Sequence, residues 1–180
     1  LSFANLGGTI LEDSYLVGVN LTGAKLTYAN LNRADLSMAL LSGANLSGLD
    51  LRTTNFYEAY LREANLSGVD LRGTNFSELD LSGVNLSGVD LRTTNLFKAY
   101  LRGANLSGVD LRGTNFSELD LSGVNLSGAN LRQSNFRETD FSDSNLKGAD
   151  FRGAIVSGAN LRGAQFCNTQ MPLEDRNDNC

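Results

Sequence analysis

Hydrophobic residues recur at every fifth position, from Leu1, Leu6, Leu11 and Leu16 through to Leu161, Phe166 and Met171, with no exception and no inserted residue. A helix repeats every 3.6 residues and a strand alternates every two, so neither produces this spacing, and the chain must turn once in each pentapeptide. Taking the apolar position as the centre of each unit, the residue two before it is small or apolar: Ala4, Thr9, Val19, Ala24, Ala44, Leu49, Thr54 and onward. Positions two apart on extended backbone share a side, so both point inward. The remaining positions carry Asn, Asp, Arg, Ser, Lys and Glu, which belong in water. The pattern predicts short extended segments joined by corners, with two residues in and three out per unit.

Glycine marks the corners. Of the 19 Gly, 18 lie two residues after a centre, Gly68 and Gly88 among them, and Gly7 is the exception. A fixed position with so strong a bias predicts positive φ, as at the third residue of a type II turn. Where Glu58, Glu78, Glu118 or Glu138 takes the place of Gly, a type I turn is expected instead.

One Leu and one small residue per unit make a thin core. Burying a Leu contributes roughly 1.5–3 kcal/mol, whereas ordering five residues costs about 1–2 kcal/mol each in backbone entropy. Isolated turns cannot persist on that balance. Stacked coils can, because backbone groups of each layer pair with the layers above and below while the centres form one apolar column.

The units Ala-Asn-Leu-Ser-Gly (44–48 and 64–68), Ala-Asp-Phe-Arg-Gly (149–153) and Ala-Asn-Leu-Arg-Gly (159–163) resemble the A(D/N)LXX signature of pentapeptide repeat proteins, over about residues 1–171. The resemblance implies an all-β fold, a right-handed quadrilateral parallel β-helix with four units to a coil, here about 8–9 coils of 20 residues. The division of the chain is then a β-helix over 1–171 and a C-terminal capping tail over 172–180.

A longer repeat supports the count of four. Residues 46–85 and 86–125 differ only at Leu49/Val89, Phe56/Leu96, Tyr57/Phe97, Glu58/Lys98 and Glu63/Gly103, and a 40-residue duplication keeps every face in phase if a coil is 20. Arg52, Arg72, Arg92, Arg112, Arg132 and Arg152 then form one column, with Asp50, Asp70, Asp90, Asp110 and Asp150 beside it and Asn130 as the exception. Oppositely charged ladders should run side by side. With strands about 4.8 Å apart, roughly 8.5 coils make a rod on the order of 40 Å long.

Composition narrows the function more than it specifies one. Net charge is −5, so no basic groove is on offer for phosphates and direct nucleic-acid binding is not expected. No apolar run approaches membrane-spanning length. The chain opens in register at Leu1 without Met or a signal peptide, as a trimmed product would. There is no His, the commonest general base and metal ligand, and no nucleophile elbow, phosphate loop or zinc spacing. Neither a catalytic residue, a metal site nor a cofactor is expected. Cys167 and Cys180 could close a loop worth about 3 kcal/mol and pin the tail over the last coil, or remain free thiols; two Cys without His leave zinc two ligands short. A Cys167–Cys180 bridge would imply an oxidising compartment such as the periplasm, a thylakoid lumen or the cell exterior.

Three surface features remain for binding. One is the Asp/Arg face, read first as a self-satisfying ion ladder. Another is an acidic strip of Glu58, Glu78, Asp80, Glu118, Asp120, Glu138 and Asp140, interrupted by Lys98 and Arg137. The third is an outward aromatic cluster of Tyr57, Tyr60, Phe97 and Tyr100, a candidate protein-interaction surface. Together they predict a non-catalytic structural or protein-interaction solenoid with an unidentified protein partner, as a monomer or as a homo-oligomer packed end to end or side by side. Resemblance to the family, common in cyanobacteria, supplies two alternatives' context: some members mimic DNA and protect gyrase, a type II topoisomerase. An ice-binding solenoid is the lesser alternative, since the Asn and Ser columns are flat but lack outward methyls.

Overall fold

The computed structural model describes residues 1–172 together with the backbone of 175 and 176. Single-residue parallel bridges join most wall residues to the one 20 positions on, as in Asn45↔Asn65, Asp50↔Asp70, Asn75↔Asn95 and Asp80↔Tyr100. A coil is therefore four pentapeptides, and Arg52 and Arg72 share a corner column. Most units make the same bonds. The Ala24 N–H closes its corner on the Leu21 carbonyl at 2.9 Å, and the Gly23 N–H reaches Ser42 in the next coil at 2.9 Å. On the wall, the Leu26 N–H donates to Asn45 and the Asn45 N–H returns to Ala24, both at 2.8 Å.

The interior is a filled column. Leu21, Leu26, Leu31 and Leu36 begin it, and the Leu and Phe centres after them are buried as far as Phe151. Phe56 meets Phe76 edge-on at 5.5 Å between ring centroids. Further along, Phe136 packs on Phe116, Phe141 and Phe151 at 5.7, 5.2 and 5.6 Å. Inward hydroxyls are satisfied by backbone. Thr54 and Thr94 donate to the Leu31 and Leu71 carbonyls of the coil below at 3.0 and 3.1 Å, and Thr139 donates to Phe116 at 2.8 Å. Most polar residues at inward positions are paired in this way, whereas the buried Ser144 hydroxyl has no hydrogen-bond partner.

The corners depart from expectation. Glu58, Glu78, Glu118 and Glu138 all have positive φ, between 55° and 64°, so they form the same left-handed corner as Gly and not type I turns. The stack dictates this: the N–H of Glu78, Glu118 and Glu138 points along the rod and donates to the next coil at 2.9, 2.9 and 3.0 Å. A type I corner flips that peptide and forfeits the bond. A left-handed residue with a Cβ costs roughly 1–2 kcal/mol, and the interlayer bond outweighs it. Among the described residues only Thr53 and Thr93 occupy the corner position without positive φ, where β-branching makes the strain larger. The Arg33 N–H then donates to the Thr53 hydroxyl at 3.0 Å.

Near the C-terminus β1 (Thr169–Gln170) pairs antiparallel with β2 (Asp175–Arg176), so the chain folds back along one wall of the last coil. Cys167 is disulfide-bonded; Cys180 lies outside the described residues.

Candidate functional site

The walls and corners carry different chemistry, and on several of them one residue class recurs at 20-residue spacing. One wall is an amide ladder. Asn85 Nδ2 donates to Asn65 Oδ1 at 3.2 Å, Asn105 to Asn85 at 3.0 Å, Asn125 to Asn105 at 3.0 Å and Asn145 to Asn125 at 3.1 Å. Each Oδ1 also accepts the backbone N–H two residues on, for example Ser107 onto Asn105 at 3.2 Å. The opposite wall repeats the arrangement, with Asn95 donating to Asn75 at 2.9 Å and Asn135 to Asn115 at 3.0 Å. Replacing Asn105 by Ala removes three such bonds and should lower unfolding stability by about 1–3 kcal/mol, read by urea denaturation.

The Asp wall and Arg corner form two-pronged ion pairs. Arg72 places Nε 2.9 Å from Asp70 Oδ1 and Nη2 2.6 Å from Oδ2, and Arg92 repeats this on Asp90 at 2.9 and 2.7 Å. Arg52, Arg112 and Arg152 pair likewise with Asp50, Asp110 and Asp150. Longer contacts link neighbouring coils, Arg52 to Asp70 at 3.4 Å, Arg92 to Asp110 at 3.6 Å and Arg132 to Asp150 at 3.7 Å. The guanidinium hydrogen bonds hold the carboxyls of Asp70 and Asp90 down at about 2 and lower those of Asp50, Asp110 and Asp150. Lowered folded values mean stability that is complete above the ordinary carboxylate range and is lost as the pairs protonate. Thermal midpoints should therefore fall between about pH 4 and pH 2, and the fall should be shallower in an Asp70→Asn/Asp90→Asn variant.

The acidic and aromatic residues meet at one corner and its adjoining wall. Tyr57 and Tyr60 are 60% and 56% exposed, Phe97 and Tyr100 both 63%, so the four side chains project from the rod. Shallow grooves separate them. One of about 210 Å³ lies between Tyr57, Glu58, Ser77 and Glu78, and one of about 370 Å³ between Phe97, Lys98, Ser117 and Glu118. A third, of about 390 Å³, is lined by Tyr100, Arg102, Glu118 and Asp120. Two acids of the strip are paired with Arg, Asp80 with Arg62 at 3.4 Å and Glu138 with Arg137 at 3.3 Å, and Asp140 accepts from Asn160 Nδ2 at 3.0 Å. The Lys98 ammonium sits over the Phe97 ring, 5.3 Å from its centroid. Sequence reasoning missed this contact, although Tyr57/Phe97 and Glu58/Lys98 were two of the five differences between the 40-residue copies. It also passed over Phe3, Tyr15 and Tyr28, which are exposed near the N-terminus.

No cluster of His, Cys, Asp and Glu suited to a metal ion occurs among the described residues, and no helix there is long and apolar enough to cross a membrane.

The family model described as Pentapeptide repeats (8 copies) matches residues 1–37, 20–56, 38–73, 54–92, 94–133 and 134–171. No curated protein matches the chain. Among solved structures, HetL, a pentapeptide repeat protein involved in heterocyst differentiation regulation from the cyanobacterium Nostoc sp. strain PCC 7120, is 27% identical with a TM-score of 0.63, over 96% of this chain and 91% of that one. QnrB1, a plasmid-mediated fluoroquinolone resistance protein, is 19% identical with a TM-score of 0.66, over 92% of this chain and 90% of that one.

Proposed function

The chain belongs to the pentapeptide repeat family, and from that premise we propose that it is a non-catalytic interaction solenoid, a rigid post that presents the Tyr57, Tyr60, Phe97 and Tyr100 surface to a protein partner. The observation that carries the reading is the exposure of four aromatic side chains on one corner and its adjoining wall, repeated 40 residues apart, midway along a rod whose centres from Leu21 to Phe151 are buried. Exposed rings beside shallow grooves are the usual anchors of protein recognition. The similarity to HetL, described as involved in regulation, is compatible with a protein that works by binding. A catalytic role has no support in the residues: the carboxylates lie on open walls and corners, and among the described residues nine of them are paired with Arg.

The test is affinity capture with the wild-type chain against a variant in which Tyr57, Tyr60, Phe97 and Tyr100 are all Ser. Partners held by the wild type should be lost by the variant. Retention of every partner would sink the proposal. The DNA-mimic reading makes a different forecast, inhibition or protection of gyrase in a supercoiling assay. Against it, the Asp wall is neutralised by Arg pairs at 2.6–2.7 Å, so that wall does not present the continuous negative charge of duplex DNA. For the ice-binding reading, the amide ladders direct their donors down the rod to the preceding coil, which leaves fewer for ice.

A further inference from the structure

The two 40-residue copies carry the same corner in two charge states. In the second copy, Phe97, Lys98 and Glu118 assemble a ring, a cation over that ring and a carboxylate beside it, all from one chain. In the first copy the equivalent groove holds Tyr57, Glu58 and Glu78, a ring with two carboxylates. The difference in charge comes from one position, Glu58 against Lys98, 40 residues apart on the same column, beside the neutral changes Phe56/Leu96 and Tyr57/Phe97. Both carboxylates act on the tyrosine: its phenol is raised by a hydrogen bond to Glu58, by the charge of Glu58 and, more weakly, by that of Glu78. An aromatic face flanked by anions attracts a guanidinium or ammonium group, and the corner projects into solvent where a partner side chain can reach it.

We propose that the Tyr57–Glu58–Glu78 groove is a docking point for an arginine or lysine side chain of a basic protein segment, the external counterpart of the Lys98 that covers Phe97. The proposal rests on the interaction-solenoid reading and names the chemistry of the partner. Charge complementarity selects that occupant: the groove has two carboxylates and no cation in its lining, whereas the second copy already contains its own. Arginine is favoured over lysine because its planar guanidinium stacks on a ring while donating to a carboxylate.

The probes are N-acetyl-arginine amide and the peptide Arg-Gly-Arg-Gly-Arg, titrated into protein with carbon-13 labelled tyrosine rings and followed by NMR. Saturable shifts are expected at Tyr57 and not at Tyr28, which is exposed on a corner column without acids. Glu58→Lys should weaken the peptide at least tenfold, while Glu138→Lys, the same charge change on the same corner column without a neighbouring ring, should leave the Tyr57 shift intact. A Phe97→Tyr/Lys98→Glu variant should gain a second responding tyrosine. Equal weakening by Glu58→Lys and Glu138→Lys, equal shifts at Tyr57 and Tyr28, or no second responder in the double variant each overturns the proposal. If the probes fail while the four-ring Ser variant still loses its partners, the interaction surface stands and only its basic ligand is wrong.

Discussion

Truncating Phe136 to Ala should lower the free energy of unfolding by about 3–5 kcal/mol, measured by urea or thermal denaturation. The ring is fully buried and touches Phe116, Phe141 and Phe151. Its contacts therefore lie both within its own coil and in the coil below. A narrow column has little means of collapsing around the void, since the backbone of each coil is fixed by bonds to its two neighbours. Phe56→Ala is the informative comparison: that ring has a single edge-on aromatic partner in Phe76 and should cost less. Equal losses at the two sites would show that the aromatic cluster adds nothing beyond area.

Inserting one Ala between Leu86 and Ser87 should abolish cooperative folding of the coils that follow, whereas excising residues 86–125 should leave a folded, shorter rod. The contrast follows from bridges at a fixed 20-residue step. A single added residue moves every later centre out of the column at once and breaks the interlayer bonds with it. Removing 40 residues joins Asn85 to Leu126, and each wall continues with the residue class it had before. Circular dichroism with a thermal scan distinguishes the outcomes. A sharp native-like transition in the insertion variant would refute the fixed register. Loss of folding in the excision variant would show that the two copies are not interchangeable storeys.

Much of this architecture was legible because it depends on one residue at a time. Leu at every fifth position and the 46–85/86–125 duplication suffice for the coil and its four walls, and Asp50 two residues before Arg52 suffices for the ion pair. The corners at Glu58, Glu78, Glu118 and Glu138 were misjudged for a different reason. Residue preference favours a type I turn, but the direction of one N–H toward the next coil decides the matter, and that is a property of the stack. Thr53 and Thr93 show where preference does prevail. The candidate site was legible as four rings and a strip of acids; the Lys98 contact with Phe97 was not, because side-chain reach across a corner has no periodic signal. The Tyr57 groove emerged only from comparing two near-identical copies that carry Glu58 and Lys98 at the same corner position.

The amide ladders bear on how long such a molecule lasts. Asparagine ages by attack of the following backbone nitrogen on its own side-chain carbonyl carbon, which requires both groups to swing free. At Asn105 the nitrogen that would attack, that of Leu106, is tied to the Asn125 carbonyl at 2.7 Å, while the side-chain oxygen is tied to Ser107 at 3.2 Å. Deamidation there must wait for a coil to open, so the rows of asparagine that would ordinarily date a protein are kept from ageing by the layers above and below them.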